Sequence, residues 1–359
     1  MHNPLQVLKH YWGYDGFRPG QAEVIDSILS GHDTLALMPT GGGKSITFQV
    51  PALANPGICL VVSPLVALMK DQVKNLQKRG ILSAFISSEM PHWEILQQLD
   101  NCILGDYKFL YISPERISSE LFQEKLKTLS RKVNLLVVDE AHCISQWGND
   151  FRRDYRLIAD IRDVIPHVQV IAVTASATAA VVADICEQLH FRKGYRIFKT
   201  SFERKNLSFV VRKTDNKLKE ICHILSAVPG SAVIYSRTRK GVEEYAGKLR
   251  AAGISAEYFH AGLDPVLKTE RQADWVKGFT RVLVATNAFG MGIDKGDVRV
   301  VIHTEFPDSM EAYYQEAGRA GRDGKRAYAV ALLGPQDITD IKRRPSNAFP
   351  TIEYIKRVY

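Results

Sequence analysis

Cysteine is scarce in this chain. Its 359 residues include five, Cys59, Cys102, Cys143, Cys186 and Cys222. No two have the spacing of a zinc knuckle or a disulfide framework. A stapled secreted scaffold is therefore excluded, and a reducing interior with no zinc is expected. Long apolar runs are missing as well. None approaches the ~20 residues that a membrane-spanning helix needs. The opening Met1-His2-Asn3-Pro4 carries no secretory pattern, so a cytoplasmic, bacterial and nucleoid-associated location is expected. Acidic residues are in deficit, with 39 Asp and Glu against 47 Lys and Arg and a formal net charge of +8. That excess allows a polyanionic partner, yet it also fits a merely basic enzyme.

Length and composition are those of an ordinary globular protein with enough apolar residues for about two domains. The chain is organised around one stretch, Leu35 to Ser45. An apolar run, Thr34 to Met38, reads as a buried parallel strand. It breaks into Pro39, Thr40 and three glycines, Gly41, Gly42 and Gly43, and Lys44-Ser45 opens a helical pattern. Strand, glycine loop and helix start together make a phosphate cradle, because glycine backbone N–H groups turn inward and the helix N-terminus adds positive partial charge. Lys44 can reach β and γ phosphates, and the Ser45 hydroxyl can ligate Mg²⁺. The usual opening glycine is absent, since Met38 holds its place.

Upstream lies Tyr14-Asp15-Gly16-Phe17-Arg18-Pro19-Gly20-Gln21. Gln21 can pair with the N6 and N7 edge of adenine. Tyr14 and Arg18 offer faces for a base to stack on. An ordinary loop between helices is the alternative. Downstream, apolar strands repeatedly end in polar steps, first Ser63-Pro64, then Ser113-Pro114. Ligands sit at such carboxyl-end edges in open α/β sheets. The most apolar strand, Leu135 to Val138, runs into Asp139-Glu140-Ala141-His142. On a chain with a phosphate loop, Asp139 can hold Mg²⁺ and Glu140 can act as general base on water. His142 could couple the nucleotide site to the other domain. Next come Gln146, Trp147, Phe151, Arg152, Arg153 and Tyr155, aromatics interleaved with arginines. They suit single-stranded nucleic acid or an aromatic-anchored surface loop. Hydroxyls between Thr174 and Thr178 could touch phosphates or transmit between sites.

A polar linker, Ser201 to Leu207, leads into a second α/β pattern without a phosphate loop of its own. It carries Asn287 to Asp294, and Tyr313 to Gly324 with Gln315, Arg319 and Arg322. Two arginines three apart fit fingers that reach a γ-phosphate from across a cleft.

Together these stretches resemble the RecQ helicases within the DEAD/DEAH-type superfamily, over nearly the whole chain. Phe17 to Gln21 is similar to the RecQ adenine-reading motif, and Met38 to Ser45 to its phosphate loop, missing glycine included. Asp139 to His142 matches the DEAH box. The Cys-Ile-Ser-Gln-Trp-Gly that follows resembles the RecQ aromatic-rich loop and separates RecQ from RNA-acting DEAH proteins. Gln315 to Asp323 is similar to motif VI.

The resemblance implies two tandem RecA-like α/β domains, 1–207 and 208–340, flanking one ATP cleft, with 341–359 a C-terminal extension. It implies ATP-driven 3′ to 5′ movement on DNA in repair and recombination, with ATP and Mg²⁺ as cofactors. Partners would be single-stranded DNA and single/double-strand junctions, and the protein a monomer. Tyr14, Phe17, Arg18, Gln21, Thr40, Gly41, Gly42, Gly43, Lys44, Ser45 and Asp294 would bind nucleotide. Ser45 and Asp139 would hold the metal, and Lys44, Asp139, Glu140, His142, Gln315, Arg319 and Arg322 would serve hydrolysis. Ser63, Pro64, Gln146, Trp147, Phe151, Arg152, Ser236, Arg237, His260 and Thr286 would contact the nucleic acid. An RNA-acting ATPase and a non-catalytic ATP-regulated binding module are the rival readings. Some positions depart from the family pattern. Arg153, Lys205 and Gly296 stand where it has proline, and Ser176 interrupts Thr-Ala-Thr. No cysteine follows Cys222, so the zinc module and winged helix typical of RecQ are not expected here. Truncation and weak unwinding are the corresponding expectations.

Overall fold

The computed structural model describes residues 3–39, 41–145, 153–175, 177–201, 203–287, 289 and 295–348, with backbone alone at 311, 342 and 344–348. The chain divides into two units, Met1–Phe202 and Glu203–Tyr359.

In the first unit two helices, α1 (Pro4–Trp12) and α2 (Gln21–Leu29), precede β1 (Thr34–Leu37). Strand and helix then alternate: α3 (Lys44–Ala54), β2 (Ile58–Val62), α4 (Val66–Gln77), β3 (Ser83–Ile86), α5 (His92–Leu104), β4 (Phe109–Ile112), α6 (Glu120–Leu129), β5 (Val133–Val138), α7 (Ile158–Val164), β6 (Val170–Thr174), α8 (Ala179–Gln188) and β7 (Arg196–Lys199). The sheet order is β3-β4-β2-β5-β6-β1-β7, with parallel pairing throughout. Helical crossovers cover both faces of such a sheet, which is why its strands are apolar on both sides. Along β1, Leu35 and Leu37 enter the core on one face, while Ala36 and Met38 enter that on the other. Each large apolar side chain so buried contributes roughly 1.5–3 kcal/mol. Because β5, β6 and β1 are neighbours, Asp139, Thr174 and Met38 emerge along one edge. Register is held there by Met38 N–H donating to the Thr174 carbonyl at 3.0 Å and Asp139 N–H to that of Val62 at 2.9 Å.

The second unit contains β8 (Leu207–Lys213), α9 (Lys217–Ala227), β9 (Ser231–Tyr235), α10 (Arg239–Ala251), β10 (Ala256–Phe259), α11 (Pro265–Lys277), β11 (Val282–Ala285), β12 (Val298–His303), α12 (Met310–Ala317), β13 (Ala327–Leu333) and α13 (Asp337–Ala348). Its order is β10-β11-β9-β12-β13-β8, again with parallel pairing. Val233 and Tyr235 face one core cluster. Ala232 and Ile234 face the other. No helix among the described residues is long and apolar enough to cross a membrane.

Candidate functional site

In the first unit the site grows out of the carboxyl ends of β1 and β5. Several helices begin on a Ser, Thr or Asn whose side chain satisfies a first-turn N–H, as Ser119 does for α6 and Thr178 for α8. Helix α3 begins instead on Gly43, left-handed at φ 77°, with no side-chain cap. Its first-turn donors are thus not covered by a capping side chain, as anion binding requires. A Cβ at Gly43 would stand 2.4 Å from Gln21 Nε2 at a φ that side chains rarely adopt, so any substitution there is strained and must displace that amide. This cradle suits a polyphosphate.

The loop is braced from upstream. Gln21, 3% exposed, donates through Nε2 to the Gly43 carbonyl at 3.0 Å and accepts the Arg18 N–H at 2.8 Å. Arg18 Nη1 donates to the Gly41 carbonyl at 2.9 Å. Two residues read as adenine contacts from sequence therefore hold phosphate-loop carbonyls in this structure. Tyr14 is exposed, and Phe17 packs at the margin of the core.

The acidic pair faces the loop. Lys44 Nζ lies 3.5 Å from Glu140 Oε1, both recessed from solvent. Glu140 is one of two non-glycine residues with positive φ among those described, at 47°. That conformation costs of order 1–3 kcal/mol and is tolerated where surroundings over-determine it. Here the Glu140 N–H donates to Asp139 Oδ1 at 3.0 Å, and the Glu140 carbonyl accepts the Cys143 N–H at 2.9 Å. Ser63 Oγ donates to Asp139 Oδ2 at 3.4 Å, and Tyr155 Oη to the Asp139 carbonyl at 2.9 Å. Burial and then the Glu140 charge push the Asp139 carboxyl up to about 6, against the opposing pull of Lys44. A buried carboxyl raised by a neighbouring carboxylate is suited to a divalent cation. His142 Nδ1 stands 2.9 Å from Thr174 Oγ1 and 3.4 Å from Glu140 Oε2. This ties the acidic turn to the end of β6. Among the described residues no three His, Cys, Asp or Glu side chains cluster to hold a metal by themselves. A cation here would complete its shell with water or ligand oxygens.

In the second unit Gln315 lies on α12, and Arg319 and Arg322 follow in a turn. Sequence reading missed what shapes that turn. Arg204 donates to the carbonyls of Gly318, Ala320 and Gly321 at 3.2, 3.0 and 2.8 Å. Asn206 Nδ2 donates to those of Gly321 and Lys325 at 2.7 and 2.9 Å. Both belong to the polar stretch read as a linker; polar residues placed just before an apolar strand were the available signal. Gly321 is left-handed at φ 65°, and a Cβ there would meet Asn206 Nδ2 at 2.5 Å.

Among the described residues assigned to nucleic acid, all but Arg237 are buried at strand ends. Ser63, Pro64, Ser236, His260 and Thr286 are all of this kind. His260 Nε2 is 2.9 Å from Glu243 Oε1, and Ser236 Oγ reaches Glu305 at 3.5 Å. Arg237 is exposed and pairs with Asp308 at 3.0 Å. Thr40, Gln146, Trp147, Phe151, Arg152 and Asp294 lie outside the described residues.

The family model "DEAD/DEAH box helicase" matches residues 18–185, and "Helicase conserved C-terminal domain" matches 216–324. The chain is 43% identical over 341 residues to the ATP-dependent DNA helicase RecQ of Bacillus subtilis, covering 94% of this chain and 57% of that protein. It is 40% identical to the probable ATP-dependent DNA helicase RecS of the same organism, covering 92% and 67%. Against the RecQ proteins of Bacillus subtilis, Pasteurella multocida and Haemophilus influenzae, the chain spans 57%, 52% and 54% of their length. The structure of Mycobacterium smegmatis helicase Lhr bound to ssDNA and AMP-PNP superposes with a TM-score of 0.74 at 20% identity. That match covers 98% of this chain and 51% of that one, a likeness of fold alone.

Proposed function

This chain belongs to the RecQ family of DEAD/DEAH box helicases, and from that premise we propose that it is an ATP-hydrolysing motor core acting on single-stranded DNA. The observation that carries the reading is the meeting of Lys44 and Glu140 at 3.5 Å, beside an uncapped helix start. A bound magnesium nucleotide supplies the phosphoanhydride and the Lewis acidity. Lys44 and the N–H groups of residues 41–45 bind its phosphates. Ser45 and Asp139 would hold the cation, which would supply Lewis acidity at the phosphates. Glu140 takes the proton of the attacking water on a carboxylate oxygen. Lys44 neutralises Glu140 until phosphate competes for it, so the resting site holds its base and its cation against each other.

The second unit's Arg319 and Arg322 stabilise the charge that develops on the transferred phosphoryl group. Gln21 and Arg18 turn from the loop carbonyls to adenine when nucleotide enters, with Tyr14 as a stacking face. Trp147, Phe151 and Arg152 sense the DNA strand. Where strand-end side chains such as Ser63 and Thr286 are buried, contact with the strand runs through backbone N–H groups. The protein works as a monomer in the cytoplasm, moves 3′ to 5′ and serves repair and recombination.

The test compares Lys44→Ala with Glu140→Gln by titration of a fluorescent ATP analogue and by phosphate release. Glu140→Gln should bind within about threefold of wild type while turnover falls at least ~100-fold. Lys44→Ala should lose both. Wild-type turnover by Glu140→Gln would remove it as the base.

A further inference from the structure

Each arginine of the second unit's turn stands between two residues that other side chains hold. Arg204 Nη1 donates to the Gly318 carbonyl at 3.2 Å, and Nη2 donates to the Ala320 carbonyl at 3.0 Å. One guanidinium thus grips the backbone on both sides of Arg319. Arg322 is flanked in a similar way. Before it, the Gly321 carbonyl accepts from Arg204 Nη2 at 2.8 Å and from Asn206 Nδ2 at 2.7 Å. After it, Asp323 Oδ1 accepts from Arg299 Nη2 at 2.6 Å, and the Asp323 N–H donates to the Gly296 carbonyl at 3.2 Å. The Gly321 N–H donates to the Val298 carbonyl at 2.9 Å, which fastens the turn to the start of β12.

The clamps are themselves mounted on the sheet. The Arg204 carbonyl accepts the Leu207 N–H at 2.9 Å. The Asn206 carbonyl accepts the Ala327 N–H at 2.9 Å, where β8 starts beside β13. Arg299 lies within β12 and also donates to the Arg326 carbonyl at 3.1 Å. Carbonyls at and past the end of α12 lack a helical partner, and the helix dipole favours a cation there. A planar guanidinium can satisfy three such carbonyls at fixed angles; a lysine ammonium has the charge without the fork.

We propose that Arg204, helped by Asn206, is a positioning residue that presets Arg319 and Arg322 for the transferring phosphoryl group. Its guanidinium is spent on backbone carbonyls and takes no part in the chemistry. The inference rests on the reading of Arg319 and Arg322 as groups that stabilise the phosphoryl charge. A brace that served the fold alone would lower the melting temperature and leave discrimination between ground state and transition state untouched. This one fixes the peptide groups from which both arginines project, and misplacing such a group by a fraction of an ångström is felt in the chemical step.

Arg204→Lys keeps the charge and removes the fork. The full chain would be titrated with a fluorescent ADP and Mg²⁺, with and without aluminium fluoride, whose complex with ADP imitates the transferring phosphoryl group. Arg204→Lys should weaken the fluoride complex about tenfold while changing ADP affinity less than about twofold. Turnover should fall in kcat with KM for ATP unmoved. Added to Arg319→Ala with Arg322→Ala, the same substitution should cost nothing further, since Arg204 acts only through those arginines. Should Arg204→Lys fail to fold, Asn206→Ala takes its place and is expected to give the same selective loss at about threefold. If Arg319→Ala with Arg322→Ala leaves the fluoride complex unchanged, the reading of the arginines fails and the inference with it. Suppose instead that those two substitutions weaken the complex. The positioning role is then overturned, and the arginine reading stands, if the brace variant binds the complex like wild type, loses ADP equally, or multiplies the arginine losses.

Discussion

Gln21 carries two readings that one substitution separates. Its carboxamide is engaged at both ends, by the Gly43 carbonyl and by the Arg18 N–H, so it braces the phosphate loop when no base is present. If it also reads adenine, Gln21→Ala should lose affinity for ATP about tenfold more than for GTP. Equal loss for the two nucleotides would leave it as a brace alone. Asp33 makes a different residue-scale case. Burial raises its carboxyl, but hydrogen bonds from the Arg192 side chain and backbone, the Val170 N–H and Arg162 outweigh this and hold it below the usual carboxylate range. The folded state therefore binds that proton more weakly than the unfolded chain does. The resulting stability is complete above about pH 4 and is lost as pH falls through the lower folded value. Asp33→Asn leaves Arg162 buried without its countercharge and should cost about 3 kcal/mol at pH 7. Thermal melts from pH 7 down to pH 2 should show the variant losing less with acid than wild type does. Parallel curves would contradict this.

At the scale of elements, the strands were the most legible part of the sequence. Runs such as Ile58 to Val62 and Leu135 to Val138 are apolar on both faces because helices cover both sides of a parallel sheet. The polar residues that follow them mark the edge where the site stands. The contacts that shape the site were not legible, because they join residues far apart along the chain. The Gln21–Gly43 bond spans 22 positions and the Arg204–Gly321 bond 117. No local pattern of charge or hydrophobicity encodes which distant carbonyl a side chain meets. Strand order was equally hidden: β7 lies beside β1, though more than 150 residues separate them.

The phosphate loop offers an element-scale prediction. Alanine at Gly43 must adopt φ near 77° and displace the Gln21 amide, at a cost of roughly 1–2 kcal/mol. Gly43→Ala should melt a few degrees lower and bind ATP at least about tenfold more weakly. Wild-type affinity in that variant would mean that the loop takes up nucleotide in some other conformation.

For the whole molecule, each unit is a parallel sheet with its own apolar clusters on two faces. The phosphate loop and acids belong to the first unit, and the arginine turn to the second. The excess of basic residues is absorbed in part by internal duties, as Arg204, Arg162 and Arg192 illustrate. Net charge alone is therefore a poor guide to the partner. The most direct measurement is steady-state ATP hydrolysis by the full chain, alone and with single-stranded DNA or RNA of matched length, with Glu140→Gln as the inactive control. Stimulation of at least about tenfold by DNA, much less by RNA and none in the control, is the expected result. Equal stimulation by both nucleic acids, or hydrolysis indifferent to either, would contradict a DNA-driven motor.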